Sequence, residues 1–487
     1  MAVQVVRTFD SGLGPTEHPY LTGPWTPTHR EVDADDMEII GEIPKDLSGV
    51  YLRNTENPVF EAKGTYHPFD GDGMLHAISF RHGRARYRNR FVQTKGFVAE
   101  QEAGRSLWAG LVARPSAAER EGWGARGGMK DASSTDVVVH AGRVLSTFYM
   151  CGEGYELSQH LETLGTAAWV PQPGVSAHPK VDLRTGELLF FNYGKAAPYM
   201  HYGVVNAAGK RTHYIPIETP GPRLPHDMAF TENFAILADM PLFWDPELLP
   251  AGVHASRYYP ELPTRFAVVP RHGSASEVRW FEAAPTYVLH WMNAYEDGAE
   301  IVLDGYFQEA PDPDPIALPG LDPRYGKMLA FLDEASFKPK LHRWRFNLRT
   351  GETREERLDD RVLEFGTFNQ DYAGRKARYA YSTFTKPGWF LFKGFVKHDL
   401  ETGDSQRFEL GEGRYGSEAP FAPRDGAESE DDGYLVSFVT DMNEGRSECA
   451  VFDAKNLRAG PVCRVILPHV ISSGTHATWA RHDEFTR

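Results

Sequence analysis

Short apolar runs separated by polar punctuation dominate the chain, and long amphipathic stretches are scarce. Runs such as VVVHAGRVLSTFY (137–149), GELLFFNYG (186–194), FAILADM (234–240), EIVLDGYF (300–307) and GYLVSFVTD (433–441) recur between Gly, Pro and Asp. Runs of this kind predict β-strands, and the lack of sustained helical periodicity predicts a mainly β protein. One turn signature joins several of them: Asp182-Leu183-Arg184-Thr185-Gly186-Glu187, Asn347-Leu348-Arg349-Thr350-Gly351-Glu352 and Asp399-Leu400-Glu401-Thr402-Gly403-Asp404. Each sets an Asp or Asn that can cap the turn ahead of a Gly that tolerates positive φ, the chemistry of a tight hairpin.

The last two of these turns, with a looser relative at Asp453 to Gly460, follow one another at about 50 residues, close to the length of one four-stranded propeller blade. A chain of 487 residues has room for about seven such blades plus insertions. A single β-propeller domain over residues 1–487 is the expected architecture, although turns of this type occur in antiparallel proteins of every kind. Two segments depart from the β pattern. Residues 324–338 predict a short helix. The run 387–396 (PGWFLFKGFV) reads either as a buried strand or as an exposed apolar patch at a tunnel mouth or membrane surface.

A hydrophobic content of 41% supports a sizeable core. The 52 basic and 67 acidic residues leave a net charge of −15, which repels phosphate backbones and anionic membranes, so nucleic acid is not an expected partner. Three cysteines, Cys151, Cys449 and Cys463, have no CxxC spacing and suggest neither a disulfide framework nor a thiolate metal site. The N-terminal residues are charged and proline-containing where a secretory signal needs an apolar core, and no stretch has the length of a membrane span. The expected location is the cytoplasm, with at most a peripheral membrane contact.

Nineteen histidines are present, and a lone histidine is more often structural than a ligand. Four stand out by their settings among small, apolar and turn residues: Ser176-Ala177-His178-Pro179-Lys180, Leu224-Pro225-His226-Asp227-Met228, Val288-Leu289-His290-Trp291-Met292 and Ser473-Gly474-Thr475-His476-Ala477. One histidine at the start of an inner strand in each of several blades would converge on a metal site. Imidazole suits iron, zinc, copper or nickel, so ligand type alone does not choose the metal.

These segments resemble those of the carotenoid cleavage oxygenase superfamily, which includes carotenoid and apocarotenoid dioxygenases, lignostilbene dioxygenases and isoeugenol-type oxygenases. The resemblance spans nearly the whole chain, from Gly41-Glu42-Ile43-Pro44, Tyr51-Leu52-Arg53-Asn54 and Phe69-Asp70-Gly71-Asp72-Gly73-Met74 to the last histidine motif. It implies a seven-bladed propeller with loop and short-helix insertions capping the site. It also implies one axial Fe(II) per chain on His178, His226, His290 and His476, with no organic cofactor. The implied activity is a dioxygenase reaction in which O2 cleaves a conjugated double bond of a small hydrophobic alkene into two carbonyl products. Glu364 and Glu418 match glutamates that orient iron-bound histidines. A third acid is expected after the strand beginning at His140, but Tyr149 occupies its place and Glu153 is the nearest substitute. Thr135 matches a threonine that narrows one open iron position.

In stilbene and isoeugenol enzymes a tyrosine and a lysine hold the phenolic oxygen of the substrate; their places here fall on Leu111 and Phe148. Phe60 matches a pocket phenylalanine, and Lys130 is the candidate replacement donor, with a loop lysine paired to an acid as its plainer alternative. The apolar replacements favour a carotenoid or apocarotenoid-type polyene over a phenolic stilbene or phenylpropene. Two further alternatives are a non-catalytic propeller that binds a ligand, against which the four histidines speak, and a non-cleaving isomerase, for which the sequence offers no support.

Overall fold

The computed structural model describes residues 2–486 apart from 64, 65, 112, 126, 252, 253, 313–329 and 331. Strands account for most of its ordered elements, and Lys95–Ala103 is the longest helix among the described residues. Thr94 starts that helix by accepting the Phe97 N–H, and Gly104, at φ +65°, ends it in the left-handed conformation that glycine adopts without strain.

Two compact units make up the chain. One comprises Met1–Val170, Lys393–Lys397 and Ser405–Arg487; the other comprises Pro171–Phe392 and His398–Asp404. Among the described residues the strands form seven antiparallel sheets of four to six strands, with one additional two-stranded ribbon. Seven successive meanders of this kind are the blades of a seven-bladed β-propeller. In the first unit the chain ends are exchanged between sheets. Ile39–Gly41 pairs with Pro461–Ile466 near the C-terminus, whereas Ala477–Ala480 pairs with Gly49–Arg53 near the N-terminus.

Middle strands of the blades are covered on both faces. Gly433–Asp441 is buried at all nine positions, and Phe234–Asp239 at five of six. That is why these strands read as continuous apolar runs rather than as alternation. The outermost strands are polar instead, as in Thr353–Arg357 (TREER), where four of five residues are exposed. Charged outer strands also discourage edge-to-edge pairing.

The turn signature folds as expected. The Gly186, Gly351 and Gly403 N–H groups each return to the carbonyl of the Asp or Asn four residues earlier, at 2.8–2.9 Å. Their φ values of +70°, +81° and +78° require the glycine. The turns at Asn347, Asp399 and Asp453 all link the third strand of a sheet to the fourth, which accounts for their common spacing. The Asp182 turn links a first strand to a second and lies outside that period.

Of the helix expected at 324–338, residues 324–329 and 331 lie outside the described residues, and Glu334–Phe337 forms a 3-10 turn. The 387–396 run is a buried strand entry and not an exposed patch: Phe390, Leu391, Phe392, Phe395 and Val396 are all buried. Cys151, Cys449 and Cys463 are all buried.

Candidate metal centre

Each of the four singled-out histidines stands just ahead of the strand that opens or closes a different sheet. His178 precedes Lys180–Asp182, His226 precedes Ala229–Phe230, His290 precedes Trp291–Asp297 and His476 precedes Ala477–Ala480. The His178 backbone is left-handed at φ +65°, a conformation a non-glycine residue adopts at a cost. The rings of His178, His226 and His290 lie 4.9–5.2 Å apart between centroids, and the Nε2 atoms of His178 and His226 are 3.3 Å apart. One ring nitrogen from each of His178, His226, His290 and His476 lies within 4.8 Å of the other three.

Acidic side chains set the orientation of two of the rings. Glu364, fully buried, is 2.7 Å from Nδ1 of His290 and also accepts the Phe365 N–H. A carboxylate on Nδ1 makes that nitrogen the donor and leaves Nε2 with its lone pair. Glu418 lies 3.3 Å from Nδ1 of His476 and accepts the Ala477 N–H at 2.6 Å. These are the two glutamates that the family resemblance singles out. Such a donor set fits a divalent transition metal: four imidazoles, with that of His290 fixed in the tautomer that offers Nε2.

Asp227 is a residue the sequence motifs did not single out. Its carboxylate takes the Lys180 ammonium and the Met228 N–H on one oxygen, each at 2.7 Å, and the Trp291 N–H on the other at 2.9 Å. One buried acid therefore ties together the segments that carry His178, His226 and His290. Burial pushes its carboxyl above the usual range, against the pull of Lys180 and the two backbone donors. The only sequence signal was its position directly after His226. Phe365 was also missed. Its backbone is left-handed at φ +51°, and its ring lies 4.6 Å from that of His290 and 4.7 Å from that of Phe392.

Of the other candidates, Thr135 is buried and accepts the Tyr149 N–H on its hydroxyl at 3.2 Å. Phe60 and Lys130 line one small recess together with Phe69, Trp108 and Met129. Within it the Lys130 ammonium is held by Asp72 at 2.6 Å and Glu100 at 2.7 Å, all three groups buried. Burial opposes that charge, yet the two acids together hold it above the ordinary lysine value. Lys130 is thus a lysine paired with acids, the plainer of its two expectations. Leu111 is half-buried and gives its N–H to Asp70, while Phe148 is buried edge-on against Tyr149. The Glu153 carboxylate serves Lys95 at 2.5 Å and Tyr155 at 3.0 Å.

Residues 25–481 match the family described as retinal pigment epithelial membrane protein. The chain belongs to this family, the carotenoid cleavage oxygenases. It is 33% identical to the carotenoid 9,10(9',10')-cleavage dioxygenase 1 of Phaseolus vulgaris, over 98% of this chain and 91% of that one. It is also 32% identical to the isoeugenol monooxygenase of Pseudomonas nitroreducens, over 95% and 98%. Among solved structures it is similar to the lignostilbene dioxygenase of Pseudomonas brassicacearum, with a TM-score of 0.82, 26% identity and coverage of 96% of this chain and all of that one. These relatives are oxygenases, named for carotenoid, isoeugenol and lignostilbene. No described helix is long and apolar enough to cross a membrane.

Proposed function

We propose that this chain is a non-haem dioxygenase that holds one ferrous iron on His178, His226, His290 and His476. It cleaves a conjugated carbon–carbon double bond of a carotenoid or apocarotenoid-type polyene into two carbonyl fragments. The observation that carries this reading is the gathering of four imidazole nitrogens within 4.8 Å. Imidazole alone would also suit zinc or copper; the family resemblance favours iron.

When bound, ferrous iron supplies the position at which dioxygen is activated. The protein's share is placement. Glu364 and Glu418 aim the rings of His290 and His476, and Asp227 fixes the spacing of the other segments. An alkene and O2 balance two carbonyls in atoms and electrons, so no acid, base, reductant or organic cofactor has to be supplied. What remains is to hold a flat conjugated chain in a dry place. Phe365, packed with Phe390 and Phe392 beside His290, offers an aromatic wall for it.

The apolar Leu111 and Phe148, and a Lys130 already committed to two acids, support the polyene over a phenol, whose buried hydroxyl would need a donor. Similarity to an isoeugenol monooxygenase supports a second reading, the same cleavage on a phenolic aryl alkene. The iron-loaded protein, incubated under oxygen with an apocarotenal and separately with a hydroxystilbene, separates the two. We expect aldehyde products from the apocarotenal. Turnover of the stilbene alone would refute the polyene preference.

A further inference from the structure

A line of buried polar side chains runs behind Glu364 and has no part in the scheme above. The Tyr306 hydroxyl, on the strand Glu300–Gln308, is 2.7 Å from Ser382 Oγ on Tyr379–Thr385. Ser382 Oγ is in turn 3.0 Å from Nε2 of His398 on Phe392–Asp399, and Nδ1 of His398 faces Asp359 at 3.5 Å. Asp359 is fixed in place by accepting the Arg361 N–H at 2.8 Å and Arg361 Nε at 2.9 Å. Serine, histidine and aspartate in this order also make hydrolytic nucleophiles. Here Ser382 is 2% exposed, so its hydroxyl is closed to a substrate carbonyl and the line has another use.

The two ends of the line explain that use. Glu364 pairs with Thr383 and Thr367 with Tyr381, so Phe365 and Gly366 together face the single residue Ser382. That is a β-bulge, the device that re-aims a side chain out of a regular strand, and it follows directly on Glu364. A Cβ on Gly366 would lie 2.6 Å from the Tyr306 hydroxyl, which therefore fills the space a side chain would take at the bulge. At its other end the line stops on Asp359, five residues ahead of Glu364. Both ends thus lie on the segment that presents Glu364 to His290. The Asp359 carboxylate favours the proton on Nδ1 of His398, which leaves Nε2 to accept from Ser382; Ser382, with one proton to give, then accepts from Tyr306. Burial holds His398 below the ordinary histidine value against the pull of Asp359, in agreement with a neutral ring.

We infer that Tyr306, Ser382 and His398 are positioning residues of the metal centre: the line they form seats the Tyr306 hydroxyl against the bulge at Phe365 and Gly366 and so holds Glu364 on Nδ1 of His290. The inference rests on the proposed iron site. Phe365 enters the bulge at φ +51°, a conformation that a phenylalanine adopts at a cost. Two contacts within the sheet share in holding it there: the Glu364 carboxylate accepts the Phe365 N–H at 2.8 Å, and the Glu364 carbonyl accepts the Thr383 hydroxyl at 3.0 Å. Neither reaches Gly366, the second residue of the bulge, against which the Tyr306 hydroxyl is placed. The same bulge brings the Phe365 ring to 4.6 Å from that of His290, so the line acts on the aromatic wall as well as on the carboxylate.

The test compares Y306F, S382A, H398Q, H398L, E364Q and the double variant E364Q/S382A in the full-length protein, each checked for folding by circular dichroism. Ferrous dissociation constants are measured by competition with a chromophoric chelator. Y306F, S382A and H398L are each expected to weaken binding about ten-fold, the lower end of what losing the carboxylate partner of a metal-bound histidine costs. H398Q keeps an acceptor for Ser382 and should bind within about two-fold of wild type. Because the line acts through Glu364, E364Q/S382A should be no weaker than E364Q alone, whereas a general loss of packing would add to it. Additive losses in the double variant would overturn the inference, as would equal losses in H398Q and H398L. Labelling of Ser382 in the native protein by a fluorophosphonate would also overturn it, by making that serine a nucleophile. Should H398L fail to fold, Y306F, S382A and the double variant decide the matter. Absence of iron binding by the wild-type protein defeats the proposed site and this inference with it, whereas normal binding that E364Q weakens and Y306F and S382A leave unchanged defeats only the role of the line.

Discussion

Replacing Asp227 with asparagine removes one charge and almost no volume, yet it should be felt through three segments of the chain. The carboxylate has three donors around it, Lys180 and the Met228 N–H on one oxygen and the Trp291 N–H on the other. An amide presents one oxygen and one NH2, so whichever way it turns, a donor faces a donor. Leaving a buried donor unsatisfied costs about 1–3 kcal/mol, and removing one partner of a buried ion pair about 3–5 kcal/mol. The Lys180 side chain is 27% exposed and can turn toward water, which discounts the second figure. The expected loss for D227N is therefore about 2–4 kcal/mol in the denaturant midpoint of the metal-free protein. Because Trp291 follows His290 and Lys180 lies two residues from His178, the ferrous dissociation constant should also rise about ten- to a hundred-fold. Chelator competition on protein shown to be folded by circular dichroism reads this directly. Iron binding within two-fold of wild type would refute the idea that Asp227 sets the spacing of the ligand-bearing segments.

Lys130→Met leaves Asp72 and Glu100 buried without their shared cation and should destabilise the protein by about 3–5 kcal/mol; an unchanged denaturation midpoint with a raised KM would instead mark Lys130 as a substrate contact. His469 is held neutral by burial, with Arg30 adding to the effect, and its value is lowered to about 4. Its folded form refuses a proton that the unfolded chain accepts, so the stability it contributes is complete above about pH 6.5 and is lost as the pH falls toward 4. His469→Gln should flatten that limb of the thermal midpoint against pH by at most about 3 kcal/mol, and an unchanged slope would show that other groups carry it.

The blade pattern was legible because burial on both faces leaves an unmistakable trace. Strands such as Gly433–Asp441 must be apolar throughout, and their connections must turn within a few residues, which selects Asp or Asn followed by glycine. The exchange of terminal strands was not legible. Ile39–Gly41 and Ala477–Ala480 are three and four residues long, and nothing in so short a segment names a partner more than 400 residues away. The apolar run at 387–396 was ambiguous for a related reason: its composition serves a covered strand and an exposed patch equally, and only packing distinguishes them.

At the metal centre the sequence disclosed the groups whose chemistry is rare and concealed those whose chemistry is common. Four histidines, each next to small or turn residues, are an unusual set, and the family motifs carried Glu364 and Glu418 with them. Asp227 is an ordinary acid by composition. What sets it apart is the count of three donors around it. That count depends on backbone N–H and C=O groups brought in from other strands, which no local pattern records. Asp227, ringed by three donors, serves as the acceptor that joins the segments carrying His178, His226 and His290. An account of the site that stops at the four imidazoles leaves out the groups that decide whether they stay in register.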